Sequence, residues 1–205
     1  MESGQMLNGG RERGRHGRSG FWWVFAGGLF VGVIGFLGFH FLLMDGYTNS
    51  LEMCISCHEM DGVYKEYQKS VHYKNPSGVR VTCAGCHIPH GKGVVDYTDK
   101  VLDKVIVGGR HLYHHLIGTY PDAASFEKSR HRLAQQVWDT MRKRDSRECR
   151  QCHTYEAMQF ADQQRSAANK HERMMQEGTK TCIDCHTGIA HEVPEEPASG
   201  EGKAP

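Results

Sequence analysis

A five-residue unit, C-x-x-C-H, occurs four times in this chain of 205 residues, at 54–58, 83–87, 149–153 and 182–186. The units use every cysteine of the chain, namely Cys54, Cys57, Cys83, Cys86, Cys149, Cys152, Cys182 and Cys185. Two residues between the thiols let both sulfurs reach one macrocycle, and the next side chain then lies beneath its metal. This is the attachment signature of c-type haem. The pattern therefore predicts four covalently bound haem c groups.

Zinc and disulfides are the competing interpretations of the eight cysteines. Paired C-x-x-C elements build tetrahedral zinc sites, but each ion needs two such elements and gives no reason for a histidine after all four. Disulfides are compatible with an oxidising compartment, yet they do not explain the histidines either. Haem is the interpretation that accounts for every residue of the unit.

The remaining composition predicts a small, haem-dependent domain. The formal net charge of +1 and the lack of a basic patch argue against nucleic acid as a partner. If residues 45–194 hold four haems, fewer than forty residues surround each one (150 divided by 4). The macrocycles must then supply much of the apolar core, so we expect this domain not to fold without haem. Residues 195–205 form a Pro-, Glu- and Gly-containing tail that we expect to be disordered.

The N-terminal region predicts a membrane anchor. Residues 1–20 are a basic flank rich in Gly and Arg, and residues 21–44 contain no Asp, Glu, Lys or Arg. At about 1.5 Å per residue, a helix of this length spans a bilayer. A cleaved signal peptide is disfavoured because the apolar run is too long and no small-residue cleavage site follows it. The arginines predict a cytoplasmic N-terminus in a bacterial inner membrane, with domain 45–194 in the periplasm.

Small residues recur along the predicted membrane helix at intervals of three and four, at Gly28, Gly32, Gly35 and Gly38. Such a face lets another helix approach closely, which is compatible with a homo-oligomer. Glycine is also simply common in membrane helices, so both interpretations stay open.

The exported region repeats itself. His72 precedes Cys83 by eleven residues, and His171 precedes Cys182 by eleven as well. The fold class we expect is mostly α with much irregular structure, consisting of one transmembrane helix and a cytochrome c domain of two tandem dihaem units. Two helical faces are expected to pack against haem or each other. They consist of Val101, Leu102, Val105 and Ile106, and of Leu133, Ala134, Val137, Trp138 and Met141.

Histidines outside the units provide candidates for the second axial ligand of each iron. The unit histidines are His58, His87, His153 and His186, and the candidates for the opposite side are His72, His171 and His191. Two histidine ligands favour a low reduction potential. Which candidate serves which haem stays open, and at the first unit a nearby thioether, Met60, could ligate or only pack. The remaining domain histidines are expected to be surface or haem-edge residues, namely His90, His114, His115 and His131.

Eight segments together resemble the NapC/NirT/NrfH family of membrane-anchored multihaem quinol dehydrogenases, especially its NapC/NirT branch. They are 54–60, 67–72, 78–80, 86–90, 137–138, 145–150, 181–186 and 188–191. The resemblance runs from the membrane helix to about Pro194. It implies a protein that draws electrons from menaquinol or ubiquinol and passes them to a periplasmic reductase, with nitrate reductase the usual partner.

The resemblance also implies particular roles. Met60 would ligate the haem nearest the membrane, while the other unit histidines and His72, His171 and His191 would ligate the remaining three irons. A family lysine at the quinol pocket matches Lys104, and the acidic position after it falls on His111. Further candidates for the pocket are Lys100, Asp99 and Asp103. His111 could instead ligate the first iron or accept a proton from quinol, since its pKa permits both near neutrality.

Two other functions use the same haems. A membrane-tethered carrier would exchange electrons only with soluble proteins and would leave Lys104 without a role. A multihaem reductase of a small oxyanion would need an open iron position away from the membrane, whereas there are enough histidines to close three haems. We therefore expect a quinol dehydrogenase.

Overall fold

The computed structural model describes residues 13–91 and 93–196, and these residues form helices and loops without a strand. The mostly α prediction is confirmed. The chain divides into two units, with the division between Asn49 and Ser50. Residues 1–12 of the predicted basic flank and 197–205 of the predicted tail lie outside the described residues.

The first of the two structural units, which ends at Asn49, is one continuous helical stretch. It comprises α1 (Arg13–Phe39), a π-helical segment (His40–Gly46) and a 3-10 turn (Tyr47–Asn49). Gly20–Asn49 is the one stretch within the described residues that is long and apolar enough to cross a membrane. Its large apolar side chains are exposed, including Trp22 and Trp23. This is what membrane anchoring requires of a helix, because lipid covers the apolar surface.

The second unit consists of short helices joined by loops and one longer helix. They are α2 (Leu51–Cys54), α3 (Asp61–Tyr67), α4 (Cys83–His87), α5 (Val94–Asp103), α6 (Gly109–Leu116), α7 (Ala123–Lys143), α8 (Arg147–Arg150) and α9 (Arg165–Glu177). A π-helical segment, Lys104–Gly108, joins α5 to α6. Single 3-10 turns occur at His58–Met60, Tyr155–Ala157, Phe160–Asp162 and Cys182–Asp184.

Local chemistry sets where the two longer amphipathic helices begin or end. The carboxylate of Asp122 accepts a hydrogen bond from the backbone N–H of Ser125 at 2.7 Å, which satisfies a free donor at the start of α7. Helix α9 ends at Gly178, whose φ of +61° is in the left-handed region that glycine adopts without strain. Gly78, at the corresponding place in the first half, has a φ of +72°.

The protein core of the second structural unit, which begins at Ser50, is small. Its buried apolar side chains among the described residues are Tyr67, Ala84 and Ile183, together with Pro89. Ala84 and Ile183 lie inside C-x-x-C-H units, and Tyr67 donates a hydrogen bond from its hydroxyl to the carbonyl of Val81 just before one. The buried residues thus gather around the attachment units. That porphyrins supply much of the core stays a prediction.

Helix α5 presents its acidic face to the rest of the domain. Arg144 donates to Asp103 at 2.6 Å, and Arg147 forms an ion pair with Asp96. The apolar residues point the other way, and their exposed fractions are large: 54% for Leu102, 60% for Val105 and 64% for Ile106. The expectation that this apolar set packs against haem or against the second apolar face stays a prediction. The two ion pairs join the acidic face of α5 to the segment 144–147.

Candidate haem centres

Each C-x-x-C-H unit lies on or beside a helical turn, which places its two thiols side by side. Residues three apart are neighbours on a helical surface, so both sulfurs can face one macrocycle. The first unit begins at the last residue of α2, the second forms α4, the third begins within α8, and the fourth begins in the turn Cys182–Asp184. None of the eight cysteines, all of which are described, takes part in a disulfide.

The four units lie next to one another in chain order. A thiol hydrogen bond joins Cys54 and Cys83, where it lowers the pKa of Cys54 and raises that of Cys83. Helix α4, the second unit, packs against α8, which carries the third. A second thiol hydrogen bond joins Cys149 and Cys182. Groups held at these units would therefore form a consecutive series.

Three pairs of histidine rings face one another across short gaps. The ring centroids are 6.2 Å apart for His72 and His153, 6.3 Å for His87 and His191, and 6.0 Å for His171 and His186. Metal–imidazole bonds are about 2.0–2.1 Å long, so two rings on opposite sides of one metal have centroids about 6 Å apart. Each pair contains one unit histidine and one histidine from elsewhere. The spacing fits a haem iron between the two rings.

In two of the three ring pairs, a hydrogen bond fixes the orientation of the histidine that lies outside the C-x-x-C-H unit. These histidines are His171 and His191. Nδ1 of His171 lies 2.7 Å from the side-chain oxygen of Gln163, and Nδ1 of His191 lies 3.1 Å from the carbonyl oxygen of Val63. A ligating histidine commonly donates its other ring N–H to such an acceptor. With Nδ1 donating, Nε2 is the nitrogen left for the metal.

The pairing crosses the internal repeat. His171 faces a unit of its own half, but its counterpart His72 faces His153 in the other half. His191, near the end of the domain, returns to His87 in the first half. These contacts therefore do not confirm the predicted arrangement of two tandem dihaem units. Two of the three ring pairs, His72–His153 and His87–His191, join one half of the domain to the other.

The first unit has a ring partner that was expected to be an ordinary surface histidine. The rings of His58 and His115 have centroids 5.8 Å apart. Nδ1 of His115 lies 2.8 Å from Oε1 of Glu59, and the same oxygen is 3.6 Å from Nε2 of His58. Desolvation acts to raise the pKa of Glu59, but the hydrogen bond to His115 and the positive charges of both histidines lower it overall. Met60, the thioether considered as a ligand of the first haem, is half-buried at the end of the 3-10 turn His58–Met60.

His115 also lies beside the attachment site itself. A ligand atom of His115, the carboxylate of Glu59 and the sulfur of Cys57 all lie within 4.8 Å of one another. A cavity of about 290 Å³ is lined by His58 and Glu59, with Lys65 and Glu127 also on its wall. No sequence signal could have identified His115, because 56 residues separate it from Glu59.

The residues predicted for a quinol pocket are spread along α5, the π-helical segment and α6. The positive charge of Lys104 acts on Cys54, where it adds to the lowering of that thiol's pKa by Cys83. Asp103 pairs with Arg144, and Asp99 lies 3.8 Å from Arg147.

His111 acts at a different unit. Desolvation lowers the pKa of His87, and the positive charges of His191 and His111 lower it further. The histidine ring that faces His58 is that of His115 rather than that of His111.

Comparisons with known proteins identify the family of the chain. The family model described as the NapC/NirT cytochrome c family, N-terminal region, matches residues 16–196. A denitrification system component, NirT, of Stutzerimonas stutzeri is 44% identical over 169 residues, which cover 82% of this chain and 80% of the relative. The cytochrome c-type protein NapC of Escherichia coli K12 is 39% identical over 200 residues, or 93% of this chain and 96% of the relative.

A third relative, from Allochromatium vinosum, is named "putative tetraheme cytochrome-c type". It is 45% identical over 150 residues, covering 73% of this chain and 78% of the relative. No solved structure matches the chain. The four attachment units, the histidine pairs and the match over residues 16–196 lead to one conclusion: the chain belongs to the NapC/NirT cytochrome c family of electron-transfer proteins.

Proposed function

We propose that this protein is a quinol dehydrogenase, which oxidises menaquinol or ubiquinol at the membrane and passes the electrons to a periplasmic terminal reductase such as nitrate reductase. The family and its NapC and NirT relatives support electron transfer by a membrane-anchored c-type cytochrome. The haems would supply one-electron redox chemistry when bound. The chain's own residues must bind the quinol and accept its two protons.

We assign the axial ligands of three haems from the ring pairs. His153 and His72 would hold the third haem, His87 and His191 the second, and His186 and His171 the fourth. The supporting observation is the common centroid spacing of 6.0–6.3 Å. Bis-histidine ligation at all three sites would keep these haems at low potential, as a carrier fed by a reducing donor requires.

The position of Lys104 is the single observation that carries quinol oxidation. Its charge reaches Cys54 at the first attachment unit. Lys104 lies in the chain among exposed apolar side chains, those of Leu102, Val105 and Ile106. An apolar quinone ring and tail suit such a surface, and a lysine ammonium beside it can donate a hydrogen bond to the quinol oxygen. His111, Asp103 and Asp99 remain the nearby candidates for accepting protons.

The test compares reduction by quinol in three proteins: wild type, Lys104→Gln and Lys100→Gln. Each is purified with its membrane helix in detergent, and dithionite reduction calibrates total haem. We expect a menaquinol analogue to reduce wild type and Lys100→Gln, and to reduce Lys104→Gln at least about tenfold more slowly, the effect of losing about 1.4 kcal/mol of interaction. Four haems that quinol cannot reduce in wild type would favour a tethered carrier. Equal rates in all three proteins would remove Lys104 from the pocket.

The remaining predictions belong to this proposal. The N-terminus would lie in the bacterial cytoplasm, the membrane helix would cross the inner membrane, and the haem domain would lie in the periplasm. A homo-oligomer through the glycine face at Gly28, Gly32, Gly35 and Gly38 stays a prediction.

A further inference from the structure

Glu148 carries a buried carboxylate for which the described residues provide no hydrogen bond. Its side chain is 3% exposed, and neither Oε1 nor Oε2 has a hydrogen-bond partner. The cation paired with it is Arg144, whose Nη1 lies 3.8 Å from Oε1, and the same guanidinium already donates to Asp103 at 2.6 Å. A charge in this position acts strongly on its surroundings, because little solvent screens it and its partner is shared.

The surroundings of this carboxylate are two attachment units. Glu148 directly precedes Cys149 of the third unit, and helix α8, which carries both, packs against α4, the second unit. Burial raises the pKa of the Cys86 thiol, and the negative charges of Cys152 and Glu148 raise it further. At Cys149 the hydrogen bond with Cys182 is the main cause of a raised pKa, and the charge of Glu148 again adds to it. The carboxylate therefore makes the electrostatic potential more negative at one sulfur of each unit.

We infer that the ionised carboxylate of Glu148 lowers the reduction potentials of the haems attached at the second and third units. Reduction adds one electron to an iron and breaks no bond, so a buried negative charge nearby favours the ferric state. The second and third units are the middle of the consecutive series, and Glu148 would set the energy of an electron between the first unit and the fourth. The inference rests on haem attachment alone, so it holds for any electron donor.

The test is a potentiometric titration of the purified full-length protein in detergent, with dithionite as reductant and haem absorbance as the signal. Glu148→Gln keeps the shape of the side chain and removes its charge. We expect two of the four midpoint potentials to rise and the other two to change much less. For each of the two, the equilibrium constant for reduction should increase about tenfold, which is about 59 mV for one electron.

The matched control is Glu52→Gln. The charge of Glu52 also acts on an attachment cysteine, Cys54, but its side chain is exposed. Water and salt screen an exposed charge, so this variant should shift no potential comparably. Electron paramagnetic resonance of the ferric haems should give the same spin states in wild type and both variants, because neither carboxylate ligates iron.

A substitution of opposite sign keeps the inference testable if Glu148→Gln disturbs ligation. Arg144→Gln removes the positive charge beside Glu148, so it should lower the same two potentials. The haems concerned are identified in a protein without its third haem, through Cys149→Ala and Cys152→Ala. In that background Glu148→Gln should raise one potential instead of two.

Four outcomes would overturn the inference. They are unchanged or lowered potentials in Glu148→Gln with its spin states intact, an equal shift in Glu52→Gln, raised potentials in Arg144→Gln, and two potentials that still rise in the protein without its third haem.

Discussion

Both terminal nitrogens of Arg130 donate hydrogen bonds to the carboxylate of Glu66, and Nη1 lies 2.7 Å from Oε1. The same carboxylate accepts the backbone N–H of Glu192 at 3.0 Å, and Arg130 donates to the carbonyl of Glu192 at 3.2 Å. This ion pair therefore ties helices α3 and α7 to the chain segment that carries His191. Both side chains are nearly buried, at 12% and 11% exposure. The ion pair holds the ring that faces His87.

Removal of this ion pair should weaken both the domain and the second haem's ligation. We expect Glu66→Gln to lower the free energy of unfolding by about 1.5–3 kcal/mol, since a nearly buried charged hydrogen bond is lost. A fraction of one haem should also become high spin as His191 leaves its site. Thermal unfolding and paramagnetic resonance of the holoprotein measure the two effects.

The matched control for that substitution is Glu127→Gln. Glu127 also pairs with Arg130, at 3.3 Å, but its side chain is 50% exposed. A solvated ion pair contributes less than about 1 kcal/mol, so this variant should be close to wild type in both measurements. Equal losses in the two variants would contradict the anchoring role of Glu66.

Ser146 connects the third and fourth attachment units. Its hydroxyl oxygen, fully buried, accepts hydrogen bonds from the backbone N–H of Ile183 at 3.1 Å and from the hydroxyl of Thr181 at 2.6 Å. We expect Ser146→Ala to cost about 1–3 kcal/mol of unfolding free energy, because a buried N–H loses its partner. Chemical denaturation of the holoprotein provides the measurement.

A second substitution at this position separates hydrogen bonding from backbone strain. The φ of Ser146 is +46°, a conformation that costs an L-residue about 1–2 kcal/mol and glycine little. Ser146→Gly should therefore be less destabilising than Ser146→Ala although both lose the hydroxyl. A glycine variant that is the less stable of the two would show that strain has no part here.

The assignment of His72 to the third haem predicts an interaction between substitutions. His72→Ala alone should convert one haem to high spin. In a protein whose third unit cannot attach haem, through Cys149→Ala and Cys152→Ala, the same substitution should add no further high-spin signal, because its iron is already missing. Electron paramagnetic resonance of the four proteins in this cycle is the measurement.

The control for this cycle removes the fourth haem instead, through Cys182→Ala and Cys185→Ala. His72→Ala should still generate a high-spin haem in that background. The opposite result would be that His72→Ala adds no high-spin signal in the protein without the fourth haem but still adds one in the protein without the third. His72 would then belong to the fourth unit, and the proposed pairing would be wrong.

The N-terminus of helix α7 should show a dependence on pH. The pKa of Asp122 is lowered below its ordinary value of 3.8. The main cause is the hydrogen bond from the backbone N–H of Ser125, and the side chain of Ser125 lowers it further. A carboxyl group whose pKa is lowered by folding stabilises the protein above its unfolded pKa, and this contribution is lost as pH falls through the folded pKa. We therefore expect wild type to lose stability relative to Asp122→Asn only below about pH 4. Asparagine caps a helix without a titrating group.

The measurement for Asp122 is the difference in denaturation midpoint between the two proteins across this pH range. Asp122→Ala should be less stable than both at neutral pH, because it has no cap. A difference between wild type and Asp122→Asn that stays constant with pH would contradict the assignment of the lowered pKa to Asp122.

Features set by residues close in sequence could be predicted from the amino-acid order alone. Four C-x-x-C-H units with no other cysteine define haem attachment, because the five residues of a unit act on one macrocycle. An uncharged run over 21–44 predicts a membrane helix by its length alone, and the helical stretch Gly20–Asn49 agrees with it. Gly178 at a helix end and Asp122 at a helix start are similarly local.

Pairing between distant residues was decided only by the tertiary structure. His72 and His171 have the same spacing from the next unit, yet they face different halves of the domain. His115 resembles any surface histidine in sequence, and only the tertiary structure shows that it lies beside Glu59 and His58. Likewise, only the tertiary structure shows that Asp96 and Asp103 pair with Arg147 and Arg144. Spacing along the chain determines which side chains share a turn, whereas contacts between turns depend on how the whole chain closes around its haems.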